Sequence, residues 1–206
     1  MRLILVRHGE SVGNSENRLQ GQEDYDLTEL GRRQADLTAE RLAAEETAHV
    51  YSSNLLRALA TAEVAAARLG KAPVVLPDLS EYHFGEMAGE TYADLRQRFG
   101  TGVSAGERVY PGEEGRDVFY RRVTTAIWRI VDAHPGESVA VVSHGGPIAL
   151  FCQSVLGLPY RRPMPFSIDN CSLNVVEVAD TAADRASRAV LVSINDVCHL
   201  SVASEG

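Results

Sequence analysis

Short apolar runs alternate along this chain with longer stretches whose apolar residues recur at helical spacing. The runs Leu3–Val6, Val74–Leu76 and Val139–Val142 have the length and the β-branched content of buried strands, and His49–Tyr51 is a weaker candidate. An alternation of strands and helices is typical of an α/β fold whose sheet is mostly parallel. The sequence therefore predicts a layered α/β protein.

Four stretches between and after these runs carry apolar residues at spacings of three and four, which predicts amphipathic helices. They are Thr28–Ala44, in which Thr28 is placed as the N-cap, Ser53–Leu69, Glu114–Ala133 and Gly146–Leu156. Leu173–Val178 and Ala189–Ile194 read as two further strands on either side of a polar stretch. We predict that they form a hairpin with a long loop that completes the sheet.

The segment Glu90–Gly112 breaks this alternation, with four glycines set among polar residues. Long loops in compact domains are often functional. A chain of 206 residues is of single-domain size. We predict one domain over 1–206 with a lid-like excursion at about 90–112.

Composition excludes several classes of protein. With 45% hydrophobic and 23% charged residues, the chain is not disordered overall, and its net charge of −8 argues against a nucleic-acid-coating protein. No apolar run is long enough for a signal peptide or a membrane span. The three widely spaced cysteines suggest neither a zinc knuckle nor a disulfide framework. We expect a cytoplasmic protein that binds neither nucleic acid nor membrane, and the sequence leaves open whether it is a homodimer.

Two of the predicted strands end in the same dipeptide. Leu3–Val6 runs into Arg7-His8-Gly9, and Val139–Val142 runs into Ser143-His144-Gly145. In open α/β sheets, ligands bind at the carboxyl ends of the strands. If the two strands are neighbours, His8 and His144 face one crevice.

Arg57 and Glu81 are further candidates. Arg57 lies about one turn into a predicted helix, where the positive end of the helix dipole disfavours a cation, and a residue that breaks a local rule is a candidate for function. Glu81 follows the strand Val74–Leu76 and precedes two glycines that allow close approach of backbone to a ligand. The alternative for each is a solvated surface residue.

Together these residues make a chemical set of two imidazoles, two guanidiniums and one carboxylate. Arginines and a histidine can hold the oxygens of a phosphoryl group, and a neutral imidazole can attack phosphorus. A carboxylic acid can protonate the leaving alkoxide and then activate water. The set predicts phosphoryl transfer without a metal or another cofactor.

Longer motifs surround these residues and cover the chain from residue 3 to about 200. They include Leu5-Val6-Arg7-His8-Gly9-Glu10 with Asn14, Ser52-Ser53-x-Leu55-x-Arg57-Ala58, Glu81-x-x-x-Gly85-x-x-x-Gly89, Ser143-His144-Gly145-Gly146 and Asn195-Asp196-x-x-His199. In these motifs the sequence resembles the histidine phosphatase superfamily, also called phosphoglycerate mutase-like. The resemblance implies a three-layer α/β/α sandwich with a mixed, mainly parallel central sheet.

The resemblance also implies roles for individual residues. His8 would be the nucleophile that forms a phosphohistidine, and Glu81 would be the proton donor. The remaining implied roles are binding of the phosphoryl oxygens by Arg7, Arg57 and His144, with help from Asn14 and the Gly145 backbone, and a lining of the substrate side by Gln20 and Gly21. Tyr82 and His83 would set specificity, with simple packing as the alternative.

Some residues depart from the family pattern. Pro111-Gly112-Glu113-Glu114-Gly115 stands where many relatives have Gly-Gly-Glu-Ser. Glu114 would either keep the acidic role of that element or interact with a helix dipole. His199 would either reach the edge of the site or act structurally.

Three functions remain open at this stage. The resemblance favours a phosphomonoesterase acting on a small phosphorylated metabolite that the sequence does not name. The first alternative is a phosphoglycerate mutase, in which an Arg follows the acidic residue, whereas Tyr82 follows it here. The remote alternative is an inactive module that binds a phosphorylated ligand.

Overall fold

The computed structural model describes residues 1–99, 111–159, 165–180 and 187–204. Six strands in these residues form one sheet in the order β3-β2-β4-β1-β5-β6. The strands are β1 (Arg2–Arg7), β2 (His49–Ser52), β3 (Val74–Val75), β4 (Ser138–Ser143), β5 (Leu173–Val178) and β6 (Ala189–Asp196). The first four pair in parallel, and β5 and β6 are antiparallel additions beside β1. The predicted mixed, mainly parallel sheet is confirmed.

Six α-helices accompany the sheet in the described residues. They are α1 (Val12–Ser15), α2 (Glu29–Ala44), α3 (Leu56–Arg68), α4 (Tyr92–Phe99), α5 (Arg116–Ala133) and α6 (Gly145–Val155). Short 3₁₀ helices cover Pro77–Leu79, Gly85–Met87 and Cys198–Ser204. Thr28 caps α2 as predicted, because its side-chain oxygen accepts a hydrogen bond from the Gly31 N–H at 3.0 Å.

The helices cover both faces of the sheet. Alternate residues of a strand point to opposite faces, and β1 divides accordingly. Ile4 and Val6 belong to one buried cluster with residues of α2 and α3, whereas Leu3 and Leu5 belong to a second cluster with residues of α5 and α6. The predicted three-layer α/β/α sandwich is confirmed.

The predicted burial of one strand is wrong. Val74–Leu76 was expected to be buried, but β3 is a two-residue edge strand in which Val74 is 48% and Val75 is 41% exposed. A short β-branched run has the same composition at the edge of a sheet as at its centre, so composition does not separate the two.

The predicted excursion at 90–112 begins with α4, a helix that the sequence pattern did not indicate. Residues 100–110 lie outside the described residues, as does the middle of the predicted β5–β6 loop, residues 181–186. That the chain is a single domain and that the excursion acts as a lid stay predictions. In the described part of the chain, no helix has both the length and the apolar character needed to cross a membrane.

Candidate active site

The register of three parallel strands brings the candidate residues together. Arg7 at the end of β1 lies beside Ser143 of β4, and Ser52 of β2 lies beside Val142. The residue that follows each strand continues this pairing: the His8 N–H donates to the Ser143 carbonyl at 3.0 Å. His8 and His144 therefore meet at the carboxyl end of the sheet, as predicted, with ring centroids 5.1 Å apart.

The hydrogen bonds of His8 fix its tautomer. Its Nδ1 lies 2.7 Å from the Gly9 carbonyl oxygen, and a carbonyl can only accept, so Nδ1 carries the proton. Its Nε2 accepts a hydrogen bond from Arg57 Nε at 3.2 Å. The Nε2 lone pair is thus directed at the group that would bind a phosphoryl oxygen.

Arg57 is 1% exposed, so the alternative of a solvated surface arginine does not hold. The backbone carbonyls of Gly21 and Glu23 accept hydrogen bonds from its two Nη atoms, both at 2.7 Å. These bonds leave Nε directed at His8. Gly21 was expected to line the substrate side, and the structure shows that its carbonyl holds Arg57 in place.

Arg7 and Asn14 are the other two side chains predicted to bind the phosphoryl group. Arg7 Nη1 donates to the Ile168 carbonyl at 2.6 Å, and among the described residues its buried Nε has no partner. Asn14 Oδ1 accepts from Ser11 and from Asn170, and no described residue uses its Nδ2 group. Both side chains keep N–H groups available for an anion.

His144 is held by a residue whose role the sequence analysis missed. His144 Nε2 lies 2.9 Å from Ser53 Oγ, and the Leu55 N–H donates to the same Oγ at 3.2 Å. Within the described residues, His144 Nδ1 is buried without a hydrogen-bond partner. Ser53 belongs to a motif that carried the family resemblance, and that membership was the signal available in the sequence.

Glu81 is anchored at the N-terminus of α6. Its carboxylate accepts hydrogen bonds from the backbone N–H groups of Tyr82 at 2.8 Å and Gly146 at 3.0 Å. A Cβ added to Gly146 would lie 2.1 Å from Glu81 Oε1, closer than any real contact allows. Only glycine at residue 146 therefore lets the carboxylate reach the helix terminus beside His144.

A second network, also missed at the sequence level, holds the loop that carries Glu81. Arg122 on α5 donates to the carbonyls of Asp78 and Ser80 at 2.9 Å and forms a two-bond ion pair with Glu114. Glu114 accepts the His83 N–H at 2.9 Å. Glu114 directly precedes α5, and its hydrogen bonds to Arg122 and to the His83 N–H connect that helix to the loop that carries Glu81.

Burial and charge act on the protonation states at the site. Burial, reinforced by Arg57 and then Arg7, holds the pKa of His8 well below its ordinary value of 6.5. Burial and the Arg57 charge do the same to the pKa of His144. Burial lowers the pKa of Arg57 to about 10, which still leaves it charged at neutral pH. The site therefore combines neutral imidazoles with cationic guanidiniums, a pattern suited to a nucleophile that attacks an anion.

The other predicted residues occupy different places. Gln20 is buried and its Oε1 accepts a hydrogen bond from Ser11 Oγ at 2.7 Å. The Tyr82 ring packs in the core, edge-on to Phe119, and these are the contacts of a packing residue. His83 is exposed beside the site, and its Nδ1 accepts the Gly85 N–H. Substrate roles for these residues stay predictions.

Three further residues have contacts of their own: His199, Gly145 and Asn170. His199 Nε2 lies 3.2 Å from Thr38 Oγ1 on α2, a contact with the helix layer. Gly145 begins α6, so its N–H belongs to the positive end of that helix. Asn170, which sequence reasoning also missed, donates to the His8 carbonyl at 2.9 Å.

Comparison with known proteins decides the family. The family model of the histidine phosphatase superfamily (branch 1) matches residues 3–189. The chain belongs to this superfamily. Phosphoglycerate mutase-like protein 4 of Arabidopsis thaliana is 39% identical over 191 residues, which cover 86% of this chain and 80% of that protein. A probable phosphoglycerate mutase of Yersinia pestis (strain Pestoides F), GpmB, is 32% identical over 98% of this chain and 96% of its own length.

Solved structures of this superfamily show the same fold. A mycobacterial glucosyl-3-phosphoglycerate phosphatase matches with a TM-score of 0.84 at 30% identity, covering 94% of this chain and 98% of that one. The predicted family and fold are confirmed together. The relatives carry both phosphatase and mutase-like names, so membership of the histidine phosphatase superfamily supports an enzyme of one of these two types.

Proposed function

We propose that this protein is a phosphomonoesterase that hydrolyses a small phosphorylated metabolite through a phosphohistidine at His8, without a metal. The observation that carries the proposal is the fixed tautomer of His8. Its Nδ1–H is bonded to the Gly9 carbonyl, and its Nε2 lone pair faces Arg57. A neutral imidazole held in this way is a nucleophile that needs no separate base.

In the first step, His8 Nε2 attacks phosphorus, a P–N bond forms, and the P–O bond to the leaving alkoxide breaks. The Glu81 carboxylic acid gives its proton to that alkoxide, which leaves as an alcohol. The phosphorylated ring gains positive charge, which the Gly9 carbonyl stabilises at Nδ1. Arg7 and Arg57 supply the positive charge that binds the phosphoryl oxygens.

In the second step, the Glu81 carboxylate takes a proton from water as the water oxygen attacks phosphorus. The P–N bond breaks, phosphate leaves, and His8 returns to its neutral Nδ1–H form. Glu81 ends protonated and ready for the next substrate. The anchoring of Glu81 beside His144 supports a single carboxyl group serving in both steps.

His144 would bind a phosphoryl oxygen through its Nδ1–H. Among the described residues, His144 Nε2 is the acceptor within reach of the Ser53 hydroxyl, whose oxygen already accepts the Leu55 N–H. An Nε2 that accepts from Ser53 leaves the ring proton on Nδ1, the buried atom without a protein partner. Ser53 thus acts as a positioning residue that sets the tautomer of His144.

Hydrolysis is favoured over mutase activity by the residue after Glu81. A mutase needs a group to hold the substrate so that the phosphoryl group returns to a second hydroxyl. The family resemblance places an Arg directly after the acid in mutases, and this chain has Tyr82 there, packed in the core. The phosphatase name of a structural relative points the same way.

The experiment is a phosphate-release assay on a panel of phosphorylated metabolites in chelator-treated buffer, with 3-phosphoglycerate plus catalytic 2,3-bisphosphoglycerate as the mutase arm. We expect phosphate release from at least one metabolite to outpace isomer formation, with no loss on adding chelator. Faster isomer formation would establish the mutase. Turnover of no metabolite in either arm would favour the inactive binding module.

Two variants separate the role of Glu81 as the proton donor from the role of Arg57 in binding the phosphoryl oxygens. Glu81→Gln should slow alkyl phosphates more than p-nitrophenyl phosphate, whose leaving group needs little protonation. Arg57→Ala should slow both substrates alike, because it binds the phosphoryl oxygens in each. Equal losses for both substrates in the Glu81 variant would reject the assignment of the general acid.

A further inference from the structure

The opposite end of the sheet holds a second cluster of histidines that phosphoryl transfer does not use. His49 begins β2, His134 follows the C-terminus of α5, and Glu137 immediately precedes β4. The candidate ligand atoms of these three residues all lie within 4.8 Å of one another. The cluster is partly exposed, so an ion has access to it from solvent.

Two separations within the cluster are close to those between the ligands of one metal ion. Glu137 Oε2 lies 3.2 Å from His49 Nε2 and 2.8 Å from His134 Nδ1. Zinc binds imidazole nitrogen and carboxylate oxygen at about 2.0–2.2 Å, which sets neighbouring tetrahedral ligands about 3.3 Å apart. The separations of the carboxylate from the two imidazoles are therefore near those that one small ion would require, and all three ligand atoms lie within 4.8 Å of one another.

Local backbone structure preorganises the cluster. His49 and Tyr51 are two residues apart on β2, so they project to the same face of the sheet, towards α5. His134 and Glu137 are the first and fourth residues of a turn with Pro135 second and Gly136, at φ 77°, third, which is the sequence of a type II turn. The Glu137 N–H donates to the His134 carbonyl across this turn at 3.3 Å.

His134 also has a hydrogen-bond partner for the ring nitrogen that would not bind the metal. The Tyr51 hydroxyl lies 2.8 Å from His134 Nε2, the nitrogen that faces away from Glu137. Histidines that bind metals almost always donate their other ring N–H to such a partner, which fixes the ring and its tautomer. Stacking of the two imidazoles, with ring centroids 4.0 Å apart, restricts His49 in the same way.

We propose that His49, His134 and Glu137 form a site for a divalent transition metal, with Zn²⁺ as the best match, at the amino end of the sheet. Two imidazoles and a carboxylate are borderline ligands that suit Zn²⁺ better than Mg²⁺ or Ca²⁺. Three protein ligands leave a fourth coordination position for water. Each neutral imidazole binds through the nitrogen that faces Glu137 and keeps its proton on the other nitrogen, where Tyr51 accepts that of His134.

The bound ion would join β2, the end of α5 and the start of β4. Because the unfolded chain does not hold the three ligands together, binding stabilises the folded state. The ion would not take part in phosphoryl transfer, since the residues of that reaction lie at the carboxyl end of the sheet.

The test is calorimetric titration of chelator-treated, dialysed protein with Zn²⁺ alone, paired with thermal unfolding at each metal concentration. We expect one saturable site and a rising unfolding midpoint. Loss of a hydrogen-bond partner of a metal ligand typically lowers metal affinity about 10- to 100-fold. Tyr51→Phe removes such a partner and should weaken zinc binding about tenfold. His134→Gln or Glu137→Gln removes a ligand itself and should weaken zinc binding by more than about 100-fold. Glu63→Gln, which removes the same charge from an exposed site on α3, should bind as wild type does.

Two further variants exclude other zinc ligands. His8→Ala and Cys198→Ser remove an imidazole of the active site and the exposed thiol, and both should keep the wild-type affinity. Absence of saturable binding by the wild type would overturn the proposal. So would binding that survives both His134→Gln and Glu137→Gln in protein whose circular dichroism is unchanged, or binding that is lost with His8 or Cys198.

Discussion

Two pairs of histidines lie at opposite ends of one sheet, and the charges around them are opposite in sign. At the carboxyl end, His8 and His144 are 3% and 1% exposed and face Arg7 and Arg57. At the amino end, His49 and His134 are stacked at 4.0 Å and share the carboxylate of Glu137. We propose that the first pair meets an anion and that the second meets a cation. The neighbours of an imidazole therefore decide its chemistry.

Among the changes to residues around the two histidine pairs, removing the positive charge of Arg57 beside His8 and His144 should have the largest effect. Arg57→Ala takes away a buried guanidinium that donates to His8 Nε2 and that we propose binds the phosphoryl oxygens, and we expect kcat/KM to fall about 10²- to 10³-fold for alkyl and aryl phosphates alike. Arg57→Lys should recover little, because an ammonium does not reproduce three fixed donors. Steady-state kinetics on both substrate types checks this, and an alanine variant within twofold of wild type would contradict it.

The same variant should move a protonation equilibrium. The positive charge of Arg57 helps to lower the pKa of His8, so its removal should raise that pKa towards 6.5, and the imidazole should become protonated at a higher pH. Nitrogen-15 NMR titration of the histidine side chains measures this directly and reports the Nδ1–H tautomer as well. A His8 pKa that is unchanged or lower in Arg57→Ala would show that the Arg57 charge does not lower it.

A smaller loss of turnover should follow when the Glu81 carboxylate is displaced but not removed. In Gly146→Ala the new Cβ displaces the Glu81 carboxylate, and we expect turnover of alkyl phosphates to fall about 10- to 100-fold, less than the largest losses attributed to a general acid, about 10⁴-fold. Turnover of p-nitrophenyl phosphate should fall less. Gly145→Ala, where an added Cβ meets no atom within 4 Å, should cost much less.

A double variant makes this prediction sharper. If Gly146→Ala acts through Glu81, then adding it to Glu81→Gln should cause little additional loss. Losses that multiply in the double variant would show that Gly146 acts on the site by another route.

The smallest effect should come from the residue that orients His144. Ser53→Ala removes one hydrogen bond to His144 Nε2, and we expect kcat to fall about tenfold or less, the range of a single hydrogen bond. The nitrogen-15 spectrum should show a change in the tautomer of His144. Ser52→Ala is the matched control, because its hydroxyl donates to the Ser53 carbonyl instead. An unchanged tautomer in Ser53→Ala would reject the positioning role.

The sequence predicted the parts of this site that follow from strand ends and broken local rules. The repeated His-Gly after two apolar runs placed His8 and His144 together, and the unfavourable position of Arg57 near a helix N-terminus marked it as a candidate, which the structure places against His8. Both inferences depend on local patterns, which a single sequence displays directly.

The parts that escaped prediction depend on contacts between distant segments. Arg122 on α5 reaches the Ser80 carbonyl across 42 positions of chain, and Asn170 reaches His8 across 162 positions. No spacing rule links such residues. Packing also decided the place of Tyr82, because its neighbours Phe84 and Phe119 enclose it in the core.

The most direct test of the phosphatase account is to trap the intermediate on His8. Brief exposure of the wild type to substrate labelled with ³²P, followed by quenching in alkali, should give a labelled protein whose label is lost in acid. Peptide mapping should place that label on the fragment that contains His8. The His8→Ala variant should carry no label and show no turnover. Label on another residue, or full turnover by His8→Ala, would contradict the account.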